Sequence, residues 1–203
     1  MGTIESKSEL RTRYGAPSER AVKKEMTHLD VHCRNFIAIS PFLTLATAGA
    51  DGRLDCSPRG DAPGFVQVLD EKTLLIPDRK GNNRVDSLGN VAEHGQVGIL
   101  FMVPGVNETL RVNGRARIVD DPELLDPLTV QGRAPRSGLL VEVEEAYLQC
   151  AKALARSKLW SPEAQIERKS FPSMGQMLAD QIDGLDADAF DRDAGDPSRY
   201  TLY

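Results

Sequence analysis

The stretch Ile76-Pro-Asp-Arg-Lys-Gly-Asn-Asn-Arg-Val-Asp-Ser-Leu88 is the most informative part of the 203-residue sequence. It predicts a β-strand that ends at Pro77, a turn rich in Gly and Asn, and a helix that begins near Asn83. Three cations fall in it: Arg79, Lys80 and Arg84. A phosphate dianion requires hydrogen-bond donors and the positive end of a helix. The stretch therefore predicts a phosphate site, although a solvated turn with surface charges fits the same residues equally well.

On both sides of this stretch the sequence predicts short β-strands joined by turns. Asp51-Gly52 is a strong signal for a hairpin turn. The predicted strands cover residues 42–47, 53–57, 65–69, 73–76, 97–103, 110–119 and 139–143. Short strands at this spacing are typical of a small antiparallel sandwich or barrel.

Helical patterns flank the predicted strands. An N-terminal helical arm is expected over about residues 17–40. Ser18 is a candidate cap for its first turn, and Thr27 with Asp30 three residues later resembles a capping box for the helix that follows. Pro41 ends that helix before the first strand. Two further helices are predicted, at residues 83–92 and 121–125.

The longest predicted helix covers residues 144–159. It is favoured by small and apolar residues at helical spacing, namely Ala146, Cys150, Ala153 and Leu154. It opens a C-terminal helical extension over about residues 144–203, which ends in an acidic run. Because no repeat or low-complexity linker divides the sequence, residues 1–203 are expected to form a single domain.

Composition and missing motifs narrow the function. The net charge of −5 disfavours general nucleic-acid binding, because phosphate backbones recruit basic surfaces. No apolar run approaches the roughly 20 residues that span a bilayer, and the N-terminus has no signal-peptide core, so a cytoplasmic protein without a membrane partner is expected. The three cysteines lack C-x-x-C spacing and suit reduced thiols.

The common catalytic and metal-binding motifs are also missing. The sequence has no signature for a dinucleotide, a nucleoside triphosphate, a zinc protease or a serine hydrolase. His28 and His32 lie four residues apart, but no third ligand accompanies them, so no metal site is predicted. An enzyme equipped in this way takes its chemistry from a cofactor, and no catalytic residue is singled out.

Further segments carry candidate ligand contacts. In Cys56-Ser-Pro-Arg-Gly-Asp-Ala-Pro-Gly64, Arg59 could donate to a phosphate or a ring carbonyl, and Asp61 could accept from a ring N–H or orient Arg59. A wide hairpin loop with an internal Arg–Asp pair fits equally well. Thr109 could face a ligand from a neighbouring subunit, or simply begin a strand. Trp160 is a packing anchor or a flat surface for an aromatic ligand.

Together these segments resemble the pyridoxamine 5′-phosphate oxidase-like family of FMN-binding split barrels, over about residues 35–160. The motifs S-P-R-G-D-x-P-G-F, P-D-R-x-G-N-N-R-x-D-S and S-x-L-W-x-P, at residues 57–65, 77–87 and 157–162, are similar to those of a bacterial subgroup with unassigned substrates. The resemblance implies a mainly β fold, an antiparallel split β-barrel with flanking α-helices. It also implies a homodimer with FMN at the interface.

The resemblance further implies a role for individual residues. Arg59, Asn83 and Arg84 would neutralise the FMN phosphate. The family usually has adjacent Arg and Lys at the helix start where this chain has Asn83 and Arg84, so another cation would compensate. Asp61 and Asp78 would bond the ribityl chain or the ring edge. The complete implied set is Arg59, Gly60, Asp61, Pro77, Asp78, Arg79, Asn83, Arg84, Thr109 (from the partner subunit) and Trp160.

The implied function is that of an FMN-dependent oxidoreductase that exchanges a hydride with an unknown small substrate. The sequence ends Ser198-Arg-Tyr-Thr-Leu-Tyr203, where true pyridoxamine phosphate oxidases have an R-L-x-P segment that grips the substrate phosphate. Vitamin B6 is therefore not the expected substrate. The alternatives are a non-catalytic flavin-binding or sensor protein, and a split barrel that binds deazaflavin or haem.

Overall fold

The computed structural model describes residues 2–196 and 202–203. Within them the strands are β1 (Phe42–Ala48), β2 (Leu54–Gly60), β3 (Gln67–Asp70), β4 (Thr73–Pro77), β5 (Gln96–Met102), β6 (Thr109–Val119) and β7 (Gly138–Gln149). The α-helices are α1 (Lys7–Tyr14), α2 (Glu19–Lys23), α3 (Val31–Ile39), α4 (Asp86–Glu93), α5 (Pro122–Leu125), α6 (Lys152–Ser157), α7 (Met174–Ala179) and α8 (Ala187–Gly195). Short 3-10 helices lie at Asp126–Leu128, Pro162–Ala164 and Arg168–Ser170.

The seven strands form one antiparallel sheet in the order β2-β1-β5-β6-β7-β4-β3. The sheet is not closed, since no ladder joins the edge strands β2 and β3 in the described part of the chain. It nevertheless curls around one core, because Leu43 on β1, Leu74 on β4 and Val141 on β7 belong to the same buried cluster. The expected antiparallel split barrel with flanking helices is confirmed.

Helices close the sheet on several sides. Helix α3 buries Cys33, Phe36 and Ile37 against the core. Its N-cap is Asp30, whose carboxylate accepts a hydrogen bond of 2.8 Å from the N–H of Cys33. The predicted capping box is therefore wrong in placing the cap at Thr27. Ser18 caps α2 as predicted, because its hydroxyl oxygen accepts a hydrogen bond from the N–H group of Ala21.

Strand β4 is buried on both faces. Leu74 and Ile76 point into the main core, while Leu75 packs against Leu125 and Leu128 in a second, smaller cluster. Helix α5, which carries Leu125, begins after Asp121 as predicted. A strand covered on both sides explains the continuous apolar run that leads into the loop after β4.

The helix predicted over residues 144–159 is wrong in its first part, because β7 continues to Gln149 and only Lys152–Ser157 is helical. A β-bulge causes the difference. Asn113 pairs with Glu145 and Gly114 pairs with Val143, so Glu144 has no partner. The core-facing positions therefore change from Val143 to Ala146, a spacing of three that imitates a helix face.

Two other predictions concern the ends of the chain and the membrane. Residues 197–201 of the predicted C-terminal extension lie outside the described residues. The single-domain assignment over residues 1–203 stays a prediction. No helix in the described ranges 2–196 and 202–203 is long and apolar enough to cross a bilayer.

Candidate functional site

The loop between β4 and α4, residues 78–85, separates two neighbouring cavities. We call them the Asp78 cavity, of about 560 Å³, and the Arg59 cavity, of about 700 Å³. Lys80, Gly81 and Val85 line both cavities. Each volume falls within the range of about 300–1,000 Å³ that is typical of small-molecule sites. One loop therefore contributes to two adjoining spaces of ligand size.

The two linings differ in composition. The Asp78 cavity is lined by Asp78, Arg79, Lys80, Gly81, Asn83, Val85, Leu88, Arg133, Ala134, Pro135, Arg136, Ser137 and Tyr203. The Arg59 cavity is lined by Asp55, Ser57, Pro58, Arg59, Lys80, Gly81, Asn82, Arg84, Val85, Asp86 and Ser87. Among the described residues, four cations and one side-chain carboxylate line the Asp78 cavity, whereas three cations and two side-chain carboxylates line the Arg59 cavity.

A hydrogen-bond network forms the floor of the Arg59 cavity. The alternation of β2 places Asp55, Ser57 and Arg59 on the face toward α4. The Ser87 hydroxyl, which is 3% exposed, donates to Oδ2 of Asp55 at 2.5 Å and accepts from Nη2 of Arg59 at 3.1 Å. It also lies 2.9 Å from the Ser57 hydroxyl. The network ties an edge strand to the first turn of α4 and fixes the Arg59 guanidinium there.

The N-terminus of α4 opens onto the same cavity, three residues later than predicted. Asn83 (φ 61°) and Val85 (φ 54°) have left-handed backbone conformations, so the helix begins at Asp86. Val85 stands at the N-cap position and offers no side-chain acceptor to the first-turn N–H groups. Arg84 donates to Asp86 at 2.8 Å, and its side chain is 74% exposed. The N-terminus of α4 therefore presents backbone N–H groups beside two cations, the fixed Arg59 and the solvated Arg84.

In the part of the chain that the structure describes, Asp78 provides the one side-chain carboxylate that lines the Asp78 cavity. Its backbone N–H donates to the Ser137 carbonyl at 2.9 Å, which extends the β4–β7 pairing by one residue. Burial raises the pKa of the Asp78 carboxyl, and the nearby charge of Arg59 offsets part of this rise. An acid of this kind can accept a hydrogen bond from a ligand N–H or hydroxyl group.

Asp61 is held by contacts within the protein. Oδ2 accepts from Nε of Arg79 at 2.7 Å, and Oδ1 accepts from the Tyr203 hydroxyl at 2.5 Å and from the N–H of Ala62 at 2.7 Å. Burial raises the pKa of Asp61, but the hydrogen bonds from Tyr203, Ala62 and Arg79 together bring it below its usual value. Arg79 also donates to the Leu128 carbonyl at 2.8 Å. Asp61 therefore anchors Arg79. An internal Arg–Asp pair is present, as the alternative interpretation of this segment expected, but the arginine is Arg79 and not Arg59.

Gly60 and Pro77 contribute backbone rather than side-chain chemistry. Gly60 ends β2, where a Cβ atom would lie 3.3 Å from the Pro41 carbonyl oxygen. Pro77 is buried at the end of β4, opposite Gly138. Neither residue lines either cavity, and they end the strands that precede Asp61 and the loop at residues 78–85.

Thr109 and Trp160 lie away from both cavities within one chain. Thr109 is 4% exposed. Arg59, Leu43, Phe101 and Leu110 are in register across four strands, so their side chains share the core face and Thr109 points to the opposite face. The Trp160 indole donates to the Val106 carbonyl at 2.8 Å and so packs on the β5–β6 hairpin. These two residues can join the site only if a second chain supplies them.

Several lining residues were not foreseen from the sequence. Asp55 and Ser57 stand four and two residues before Arg59, and strand alternation alone could have grouped them. Arg133, Arg136 and Tyr203 come from distant parts of the chain and have no local signal. They were missed because only the folded chain brings them beside the loop at residues 78–85.

The fold defines a class of split-barrel proteins, and in this chain two cavities of ligand size adjoin the loop after β4. A family model described as pyridoxamine 5′-phosphate oxidase matches residues 29–150, which is more than half of the chain. The protein belongs to this family. A search of curated proteins found no match.

Several solved structures are similar to this chain at low sequence identity. A variant of HupZ from Group A Streptococcus is 16% identical, with a TM-score of 0.50 over 60% of this chain and 99% of that chain. General stress protein 26 from Bacillus anthracis is 14% identical, with a TM-score of 0.43 over 58% and 94%. HutZ from Vibrio cholerae, described as a haem storage protein, is 20% identical, with a TM-score of 0.38 over 60% and 93%. At these identities the likeness concerns the fold alone.

Proposed function

We propose that this protein is an FMN-dependent oxidoreductase that acts as a homodimer and exchanges a hydride between flavin and a small substrate. The observation that carries the proposal is the fixed Arg59 guanidinium beside the N-terminus of α4, in one of two adjoining cavities. Family membership supports the same reading by analogy, since the matching family model is described as pyridoxamine 5′-phosphate oxidase.

The donor set of the Arg59 cavity fits a phosphate. Arg59 supplies a guanidinium that Ser87 already orients, and the first turn of α4 supplies backbone N–H groups that the N-cap side chain leaves open. Such donors at a helix N-terminus favour an anion. Arg84 lines this cavity and Asn83 lines the adjoining Asp78 cavity, and both would complete the shell, as the family resemblance implies. The Asp55 carboxylate, in the same lining, accepts the hydrogen bond of the Ser87 hydroxyl.

The Asp78 cavity would receive the remainder of the cofactor. It shares a wall with the Arg59 cavity through Lys80, Gly81 and Val85. Asp78 would accept a hydrogen bond from the ribityl chain or the ring edge. Bound FMN would supply two-electron hydride chemistry, and the protein would supply orientation and electrostatics.

The outer face of the sheet supports a homodimer. On β1, β2 and β5 the side opposite the core carries small and apolar residues, namely Phe42, Ala46, Leu54, Cys56, Pro58, Gly98, Leu100 and Met102. Leu54 is 84% exposed. An apolar face of this kind marks an interaction site, and a two-fold pairing would bring Thr109 and Trp160 of the partner subunit toward the site. The partner subunit would thus supply Thr109 and Trp160, which lie away from both cavities within one chain.

Flavin fits the described cavities better than haem. The histidines are His28, His32 and His94, and none of them lines the cavities described above. Haem iron in proteins is usually held by a His, Cys, Met or Tyr side chain, and Tyr203, which lines the Asp78 cavity, already donates its hydroxyl to Asp61. A donor set of arginines and a helix N-terminus suits a phosphate-bearing cofactor instead.

The test is the absorption spectrum of the full chain after incubation with FMN and gel filtration. We expect flavin bands at about one FMN per subunit, because a two-fold dimer has two equivalent sites. A protein that stays colourless contradicts FMN binding. Oxidation of reduced nicotinamide in the presence of an electron acceptor then separates an oxidoreductase from a flavin-binding sensor, which would bind FMN without turnover.

A further inference from the structure

Tyr203 lies against the Asp78 cavity through contacts with three separate segments. Its hydroxyl donates to Oδ1 of Asp61 at 2.5 Å. The guanidinium of Arg79 lies over its ring, 5.7 Å from the centroid. Nη1 of Arg133 donates to its backbone carbonyl oxygen. Asp61 follows β2, Arg79 follows β4 and Arg133 precedes β7. Tyr203 therefore connects three loops at one wall of the cavity.

The anchor of Tyr203 is buried and already charged. The Asp61 side chain is 3% exposed and its other oxygen is bonded to Arg79, whose side chain is 17% exposed. A phenol that donates to a carboxylate in this setting makes a charge-assisted hydrogen bond, which is stronger than a neutral one. The hydrogen bond between Tyr203 and Asp61 therefore holds the Tyr203 ring in a defined position at the cavity wall.

We propose that Tyr203 is an internal occupant of the Asp78 cavity, and that a ligand enters the cavity by displacing it. A displacing ligand would replace three interactions: a donor for Asp61, a flat face for Arg79 and an acceptor for Arg133. The chemical class that offers all three is a planar heteroaromatic compound with N–H or hydroxyl donors and an anionic or carbonyl group. FMN is used as the probe because of the proposed function. The contacts of Tyr203 with Asp61, Arg79 and Arg133 do not depend on that function.

The first experiment examines the protein without any ligand. The full chain is labelled with 3-fluorotyrosine, and the Tyr203 resonance is assigned from the Tyr203→Phe variant. We expect this signal to be shielded from a soluble paramagnetic chelate, in contrast to that of Tyr14, which is 75% exposed. The Asp61→Asn variant should bring Tyr203 to the accessibility of Tyr14. If Tyr203 in the unchanged protein is already as accessible as Tyr14, the proposal is overturned.

The second experiment measures FMN binding to full-length variants. We expect Tyr203→Ala to tighten FMN binding about fivefold or more, because a competing internal contact lowers apparent affinity. Tyr203→Phe should tighten it less, since the ring stays. Leu202→Ala is the matched control, because Leu202 is 71% exposed, and it should leave FMN affinity unchanged. Unchanged or weaker binding by Tyr203→Ala would overturn the proposal.

The two experiments also separate this inference from the proposed function. Saturating FMN should move the Tyr203 fluorine signal to the exposed position, and a signal that stays shielded when FMN is bound contradicts displacement. If no variant binds FMN, the proposed function fails, and the ligand-free accessibility of Tyr203 alone then decides whether it occupies the cavity.

Discussion

Arg59 on the edge strand β2 donates a hydrogen bond of 3.1 Å to the hydroxyl of Ser87 in the first turn of α4. Because Ser87 donates its own proton to Asp55, its lone pairs are left to accept, and the Arg59 charge is held at the helix N-terminus before any ligand arrives. An orientation fixed in advance lowers the entropic cost of binding an anion.

Replacing Arg59 with Ala should weaken FMN binding about 10- to 100-fold, which corresponds to the loss of about 1.5–3 kcal/mol from one charge-assisted hydrogen bond. Fluorescence titration of FMN measures this. Arg53→Ala is the matched control, since Arg53 precedes the same strand and is exposed away from both cavities. Arg84→Ala should weaken binding less than Arg59→Ala, because Arg84 is solvated and already bonded to Asp86. Equal affinities for Arg59→Ala and Arg53→Ala would contradict the phosphate assignment.

Part of this site is visible in the sequence because its signals are local. Strand alternation, the Asp51-Gly52 turn and the donor-rich loop at residues 78–85 each depend on residues close together in the chain. The start of α4 was misplaced because the left-handed conformations of Asn83 and Val85 interrupt a helical pattern without any Pro to mark the break. Propensity rules do not anticipate φ > 0 at Val, since this conformation is unfavourable for a β-branched residue.

The rest was hidden because it depends on pairing across the fold. The alternation of core and outer residues in β7 is interrupted at the bulge. Only the pairing with β6, where the register shifts between Asn113 and Gly114, explains why Glu144 has no partner. The Asp61–Arg79–Tyr203 cluster gathers three distant segments. No spacing within any one of these segments indicates the others.

Asp61→Asn should destabilise the protein by about 3 kcal/mol at neutral pH, because it leaves the Arg79 charge without its buried partner. The pKa of Asp61 is lowered in the folded protein, so its stabilising contribution is present above the unfolded pKa of about 3.9 and is lost as the pH falls through the lower folded value. The difference in unfolding free energy between wild type and Asp61→Asn should therefore shrink below about pH 4. Urea unfolding from pH 7 to pH 3 measures it, with Tyr203→Phe as the control that keeps the ion pair. A difference that does not change with pH would contradict this assignment.

Gly114→Ala and Gly89→Ala should change stability in opposite directions. A Cβ atom on Gly114 would lie 2.0 Å from the Glu142 carbonyl oxygen, so the variant should lose about 3 kcal/mol through steric overlap at the bulge. Within residues 2–196 and 202–203, no atom lies within 4 Å of a Cβ atom built on Gly89 in α4, and Ala should stabilise that helix by about 0.5–1 kcal/mol. Urea unfolding tests the pair. A Gly114→Ala variant as stable as wild type would show that the bulge is absent in solution.

The cysteines should react with Ellman's reagent in a fixed order. Burial raises the pKa of the Cys33 thiol to about 12, so Cys33 should react only after unfolding. A hydrogen bond from the backbone N–H of Lys152 lowers the pKa of the exposed Cys150, which should react first. Cys56 lies on the proposed dimer face and should react faster when dilution separates the subunits.

Single Cys→Ser variants assign the kinetic phases to individual thiols. Loss of the fast phase in Cys150→Ser identifies Cys150. A Cys56 rate that does not depend on protein concentration would place the dimer interface elsewhere on the surface.

The bulge between β6 and β7 also limits which changes in length this part of the chain can accept. Deleting Glu144 alone would restore an uninterrupted ladder and keep Tyr147 and Gln149 on the outer face, because their pairs with Arg111 and Thr109 stay in register. Arg111 would therefore keep its hydrogen bond of 2.9 Å to Tyr147. A deletion or insertion of one residue between Glu145 and Gln149 would instead turn the rest of the strand over, so Glu144 is the position in this half of β7 at which a single residue can be removed.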